Sequence, residues 1–223
     1  MGVKTSINLV ALNKIFPTYH FIKITPTISG IIDTTYIAST DTKSYILKKY
    51  ERDIPQKIQE DKELLSQLHQ AGLNVPLCLE ESNGWYLYKK LKGGQPRSVK
   101  SYHIQALARF MAKLHHITSN KRCTNNIRVE DEVTDALKYT KKHFFAYYKK
   151  FEFLKYFTHE NDAFIHSDIF KDNTIFDASK IGVIDFIDSS CGTYGFDVAV
   201  ALVGFDARVN NNYFINIFLN HLF

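Results

Sequence analysis

Cysteine is scarce in this sequence, and the three present, Cys78, Cys123 and Cys191, lie far apart with no CxxC pair. An odd, dispersed set argues against a disulfide framework and against a zinc site, and the reducing cytoplasm is its natural home. Long hydrophobic runs are also missing. No stretch approaches the roughly eighteen consecutive apolar residues that a membrane span requires. Residues 1–12 lack the charged flank and apolar run of a secretory signal. A soluble chain with no membrane partner is expected. Charge of one sign is not concentrated either: the formal net charge is +5, and the pairs Lys48-Lys49, Lys89-Lys90, Lys141-Lys142 and Lys149-Lys150 are scattered. A nucleic-acid binder gathers its charge on one face. Solvated basic faces are the plainer reading, so no nucleic-acid partner is expected. No internal repeat or low-complexity tract is visible, and the oligomeric state is left open.

What is present fits a globular enzyme. Apolar residues at 45% and charged residues at 23% are ordinary for a soluble domain. A chain of 223 residues can build one sizeable core, or two small lobes sharing a cleft. Residues 19–24, 34–38 and 45–50 alternate and are rich in β-branched and aromatic side chains, which predicts an antiparallel meander. Ile58, Asp61, Leu65 and Leu68 fall on one helical stripe within 55–71, and Gly72 ends that helix. Residues 77–80 and 85–89 form another strand pair around the turn Ser82-Asn83-Gly84. Lys92-Gly93-Gly94-Gln95-Pro96 is a breaker cluster suited to an interlobe linker. Beyond it the period becomes helical: Ile104, Leu107, Ala108, Met111, Leu114 and His115 share a stripe, and 131–157 reads as one longer helical stretch.

The sharpest chemical signal is His166-Ser167-Asp168-Ile169-Phe170-Lys171-Asp172-Asn173, followed by Ile175-Phe176, a turn, and Val183-Ile184-Asp185-Phe186. Phosphoryl transfer is mostly positioning and charge neutralisation. It needs a carboxylate beside the attacking hydroxyl and hard oxygen ligands for a magnesium ion on the phosphates. Asp168 and Asn173, five apart on a loop, can point into one cleft. A hairpin of 173–176 with 181–184 brings Asp185 back beside Asn173, giving an amide oxygen and a carboxylate suited to Mg²⁺.

HSDIFKDN followed by VIDF resembles the catalytic and metal loops of the aminoglycoside phosphotransferase and choline kinase superfamily, distant relatives of protein kinases. The resemblance implies that Asp168 is the catalytic base and that Asn173 and Asp185 bind magnesium. The downstream stretch IDFIDSSCGTYGFDVAVAL resembles the run from the metal Asp to an Asp-Leu-Ala helix start. By that likeness Asp197 buttresses the catalytic loop, and it is also a candidate N-cap for a helix over 198–203. Asp188 reads as a solvated turn carboxylate. Tyr45-Ile46-Leu47-Lys48 resembles the strand carrying the phosphate-contacting lysine. Strand alternation then puts Ile46 over the base and Lys48 toward the phosphates, with Lys49 as the alternative if the register slips by one.

The partner of that lysine is expected on the following helix. Glu60, Asp61 and Glu63 are all near, and Asp61 alone shares the apolar stripe; the family carries the longer Glu there. Ser29-Gly30-Ile31-Ile32-Asp33-Thr34-Thr35-Tyr36 resembles the phosphate-covering turn of the homoserine-kinase-like branch, with Gly30 at its apex. Residues 85–91, Tyr88 among them, would supply the hinge whose backbone binds adenine. The His115-His116 pair reads as packing or surface, not a metal site.

The resemblance implies an α+β, two-lobed protein-kinase-like fold. Residues 1–91 would form a nucleotide-binding lobe of antiparallel sheet plus one helix. Residues 92–223 would form a mainly helical catalytic lobe with a short β-hairpin. It further implies an ATP- and Mg²⁺-dependent kinase of a small hydroxyl-bearing metabolite, such as a homoserine-like amino alcohol, an aminoglycoside, a choline-like compound or a sugar. The alternative is a nucleotide-binding regulatory pseudokinase. The apolar run Phe218-Leu219-Asn220-His221-Leu222-Phe223 falls where relatives continue with further helices, and it reads as a truncated, minimal or partner-completed end.

Overall fold

The computed structural model describes residues 4–27, 32–119, 129–156, 163–205 and 212–222. Its chain order begins with a helix that the strand pattern gave no reason to expect. α1 (Leu9–Ile15) is capped by Asn8, whose Oδ1 accepts from the Ala11 N–H at 2.8 Å, and it buries Leu12. β1 (Lys23–Pro26), β2 (Thr34–Ser39) and β3 (Ser44–Lys49) follow, then α2 (Pro55–Gln70), with Pro at the first helical position where no N–H is needed. β4 (Cys78–Ser82) and β5 (Trp85–Lys89) complete an antiparallel sheet of order β1-β2-β3-β5-β4. Next come α3 (Ser101–Thr118), α4 (Val129–His143), α5 (Phe145–Phe151), a 3₁₀ turn over Glu152–Tyr156, β6 (Ala163–Ile165), β7 (Thr174–Asp177), β8 (Lys180–Val183), β9 (Ser190–Gly192), α6 (Tyr194–Gly204) and α7 (Asn212–Leu222).

Compactness divides the chain otherwise than by one cut after residue 91. One unit is Met1–Ser98 with Asp172–Ile187, and the other is Val99–Lys171 with Asp188–Phe223. The first unit has its core on one face of the sheet. Leu12 and Phe16 of the N-terminal segment pack with Phe21, Tyr36, Ala38, Leu47, Trp85 and Leu87. Alternation along β2, where Thr34, Tyr36 and Ala38 are buried, is the period-two signature of a half-buried strand. β1 starts at Lys23 and not at residue 19. The Asn13 side-chain amide accepts from the Phe21 N–H (2.7 Å) and donates to its carbonyl (2.8 Å), while His20 has φ 51. A side chain thus satisfies backbone groups that a neighbouring strand would otherwise take.

The β7–β8 hairpin belongs to this first unit because the segment before it is stitched to it. Gly94 and Phe176 exchange two backbone hydrogen bonds, of 3.1 and 2.8 Å. The Val183 N–H donates to the Asn74 carbonyl at 3.1 Å, and Gln95 Nε2 donates to the Asp172 carbonyl at 2.6 Å. Two glycines permit the approach. A Cβ on Gly93, at φ +112, would lie 2.1 Å from the Phe176 carbonyl oxygen, and one on Gly182 would lie 2.6 Å from Asn74 Nδ2.

The second unit is mainly helical. α3 packs against α7 and β6, burying Ile104, Leu107, Ala108, Met111 and Leu114 as the stripe predicted. The single helix expected over 131–157 is interrupted at Phe144, whose φ −142 and ψ 60 are not helical. Thr140 lies just upstream with its hydroxyl donating to the Ala136 carbonyl at 2.9 Å, the kind of back-bond that competes with the helical ladder. Cys191, buried in β9, is disulfide-bonded, a correction to the reduced set expected from spacing; Cys78 is free, and Cys123 lies outside the described residues. No helix among the described residues is long and apolar enough to cross a membrane.

The stitching makes a prediction. Gly93→Ala is expected to cost more than the roughly 1–3 kcal/mol of strain at a glycine-only backbone conformation, because the Cβ also meets the Phe176 backbone. Gly94→Ala, whose Cβ would meet nothing within 4 Å, is expected to stay within about 0.5 kcal/mol of wild type. Urea unfolding of the two variants checks the contrast.

Candidate functional site

Strand register decides which lysine faces the chemistry. Leu47 is fully buried in the sheet core, so Ile46 and Lys48 point to the opposite face. Lys49 shares the core face and lies over the Trp85 ring, 5.4 Å from its centroid. Lys48 Nζ donates to Asp185 Oδ1 at 3.0 Å, between residues 137 apart in sequence. It also lies 3.7 Å from Asp33 Oδ2 and 4.8 Å from the centre of the Tyr50 ring.

Asp185 reaches this position through the β7–β8 hairpin. Thr174 pairs with Val183, and the Ile184 N–H donates to the Asn173 carbonyl at 3.0 Å. Asn173 and Asp185 therefore flank the open end of one hairpin. Asp185 then turns out of the ladder with φ 69, a left-handed conformation uncommon for a non-glycine residue. Its side chain remains 47% exposed. Among the described residues no group of three or more His, Cys, Asp or Glu could hold a metal by themselves. Magnesium in nucleotide sites needs only one or two protein oxygens, the phosphates and water supplying the rest, and the Asn173–Asp185 pair fits that requirement.

The structure does not bring Asp61 to Lys48. The carboxylates within 4 Å of the lysine are Asp185 and Asp33. Asp61 is buried on α2, and its charge adds to the forces that raise Tyr50 and Tyr88. Burial is the first cause for both tyrosines, and their hydroxyls share a 3.0 Å hydrogen bond. Asp carries one methylene fewer than the Glu expected at that position, which shortens its reach. Tyr88 stands directly across from Ile46 in the β3–β5 register and is buried. Gly30 lies outside the described residues.

Asp33 and Arg52 were not singled out as lysine neighbours from sequence. Asp33 accepts from the Glu51 N–H at 3.1 Å and lies 3.6 Å from Arg52 Nη2. The signal was present in the hairpin register: Thr35 opposes Lys48, so Asp33, two residues earlier, falls diagonally across on the same face. Beside it the buried Thr34 hydroxyl donates to Glu51 Oε1 at 2.6 Å, which holds the Glu51 carboxyl below its usual range.

Asp168 belongs to the second unit, where it is exposed. Its N–H donates to His166 Nδ1 at 3.2 Å, and its carbonyl accepts from the Phe170 N–H at 2.9 Å. Ser167, at φ 64, is the second left-handed non-glycine residue of these loops. Asp197 fixes it. Fully buried, Asp197 accepts from the Ser167 N–H at 2.8 Å and contacts His115 Nε2 at 2.8 Å. The N-cap of α6 is Thr193, whose hydroxyl accepts from the Phe196 N–H at 3.1 Å, and not Asp197. A buried carboxylate finds stronger use bridging two elements than capping its own.

The phosphotransferase enzyme family matches residues 23–217. The homoserine kinase of Methylobacillus flagellatus is 25% identical over 195 residues, covering 78% of this chain and 60% of that protein. The homoserine kinase of Janthinobacterium sp. is 23% identical over 197 residues, covering 78% and 61%. The chain thus spans about three fifths of the length of these relatives. An amicoumacin kinase in complex with AMP-PNP and Ca²⁺ superposes with a TM-score of 0.74 at 16% identity, over 96% of this chain and 75% of that one. The choline kinase of Cryptosporidium parvum Iowa II gives 0.62 at 14% identity, over 92% and 74%. At such identities the likeness is one of fold, the α+β kinase-like fold.

Asp197 carries the prediction of this site. Asp197→Ala is expected to lose about 1–3 kcal/mol for each hydrogen-bonding group left without its acceptor. Asp197→Asn keeps one acceptor oxygen and is expected to lose less. Urea unfolding of the full chain measures the difference.

Proposed function

The chain belongs to the phosphotransferase enzyme family, and on that premise we propose that it transfers the γ-phosphoryl group of ATP to the hydroxyl of a small metabolite. Homoserine or a similar amino alcohol is the leading acceptor, in line with the relatives above. An aminoglycoside, a choline-like compound or a sugar follows. The observation that carries the reading is the 3.0 Å pair of Lys48 with Asp185, which puts a strand cation beside a candidate metal carboxylate within one compact unit.

The residues divide the work by their chemistry. Lys48 offers a point charge to the α and β phosphates, Ile46 packs on the base, and the backbone around Tyr88 receives adenine. Asn173 and Asp185 would hold Mg²⁺, which would neutralise phosphate charge. Asp168 accepts the proton of the acceptor hydroxyl as its oxygen bonds to the γ-phosphorus and the bond to the ADP oxygen breaks. No covalent enzyme intermediate is needed. In this reading residues 1–91 form the nucleotide lobe and 92–223 the catalytic lobe, whose β7–β8 hairpin, carrying Asn173 and Asp185, packs in one compact unit with the sheet.

Transfer from ATP to a panel of amino alcohols, sugars and aminoglycosides, with Mg²⁺ present, tests the proposal. Asp168→Ala is expected to lose on the order of 10² to 10⁴ in rate while keeping ATP affinity, because a base serves the acceptor and not the nucleotide. Unchanged turnover in that variant would remove Asp168 from its role. A chain that binds ATP but transfers nothing to any acceptor would instead be the regulatory alternative. Lys48→Met is expected to damage catalysis far more than Lys49→Met, since only Lys48 faces Asp185. Steady-state kinetics of the two variants decide it.

A further inference from the structure

We propose that Asp33 is the carboxylate that positions Lys48 for the nucleotide, in place of an acid on α2. The inference rests on the kinase reading above and concerns how its lysine is held. Of the two carboxylates beside Lys48, Asp185 is the nearer but the less committed. Its side chain is 47% exposed, and in that reading it turns to a metal ion. A lysine with no other partner would then be free to swing, because a four-carbon stem has many rotamers.

Asp33 has no such second occupation. Its side chain is 6% exposed, and the Glu51 N–H donates to its Oδ1 at 3.1 Å, fixing the carboxylate. Its Oδ2 faces both Lys48 at 3.7 Å and Arg52 at 3.6 Å. Two cations around one buried carboxylate offset the cost of burying its charge. The scaffold behind it is also tied down. Thr34, next in sequence, donates to Glu51 Oε1 and accepts from the Lys4 and Thr5 N–H groups at 2.8 and 3.0 Å. β2, the end of β3 and the N-terminal segment are thereby locked around Asp33. Sheet geometry does the rest, because a residue diagonal to the lysine on the same face lies within reach of a long side chain. Asp61 on α2 stands outside 4 Å of that amino group, so its expected role passes to a residue of the sheet.

The test is a double-mutant cycle on the affinity for AMP-PNP with Mg²⁺, read by calorimetry on the full chain. Asp33→Asn keeps the acceptor for the Glu51 N–H and the side-chain volume but removes the charge. We expect it to weaken AMP-PNP binding about tenfold and to raise KM for ATP while leaving KM for the acceptor alone. In a Lys48→Met background the same substitution should have no further effect, and that absence separates positioning from general damage. Asp33→Glu, which keeps the charge, should fall between wild type and Asp33→Asn, and Asp61→Asn should lose less than Asp33→Asn. An equal loss from Asp33→Asn with and without Lys48 would overturn the proposal. So would a silent Asp33→Asn beside a damaging Asp61→Asn. Wild-type protein that binds no AMP-PNP would sink the kinase reading itself, an outcome distinct from either.

Discussion

An amino group on β3 and a carboxylate after β8 meet at 3.0 Å, and this ion pair joins two candidate residues 137 apart in sequence within the first unit. Its worth is not stability. With Asp185 almost half exposed, such a pair contributes about 0–1 kcal/mol, screened by water and salt. Its worth is placement. A cation and a carboxylate from distant parts of the chain are kept adjacent, the arrangement from which the proposed phosphate and metal roles are argued. The weakness of the pair serves this, because tightly satisfied charges would resist new partners.

Placement at that precision depends on covalently distant parts being rigid. Asp185 is where it is because the β7–β8 hairpin is bonded along its length, at Asn74, Gly94 and Gln95, to the segments around the end of the sheet. Gly93 and Gly182 are small because backbone and side chains come too close there for a Cβ. Lys48 is where it is because Leu47 anchors the other face of its strand in the core formed by Leu12, Phe16, Trp85 and Leu87. Packing on one side of the sheet thus aims the charge on the other.

The second unit solves the same problem with a single buried carboxylate. Asp197 holds Ser167 in a left-handed conformation and is itself held by His115 of α3. The loop carrying Asp168 is fixed from beneath while Asp168 itself stays exposed. Both candidate loops therefore contain one non-glycine residue at positive φ, Ser167 next to Asp168 in one and Asp185 itself in the other. Such conformations cost roughly 1–3 kcal/mol and persist only where surrounding bonds over-determine them.

Much of this was legible in the sequence. The alternation over 34–50, the stripe from Ile58 to Leu68 and the stripe from Ile104 to Leu114 specify strands and helices through local periodicity, which needs no knowledge of distant residues. The choice of Lys48 over Lys49 as the residue beside Asp185 followed from the same alternation. Tertiary structure decided what periodicity cannot encode. It drew the boundary of the first unit around the hairpin, made Thr193 and not Asp197 the cap of α6, delayed to Lys23 the strand expected from residue 19, and put Asp33 instead of Asp61 beside Lys48. Each of these is a competition between partners for a hydrogen bond or a charge. Sequence names the candidates, and only the packed chain shows which one is close enough to win.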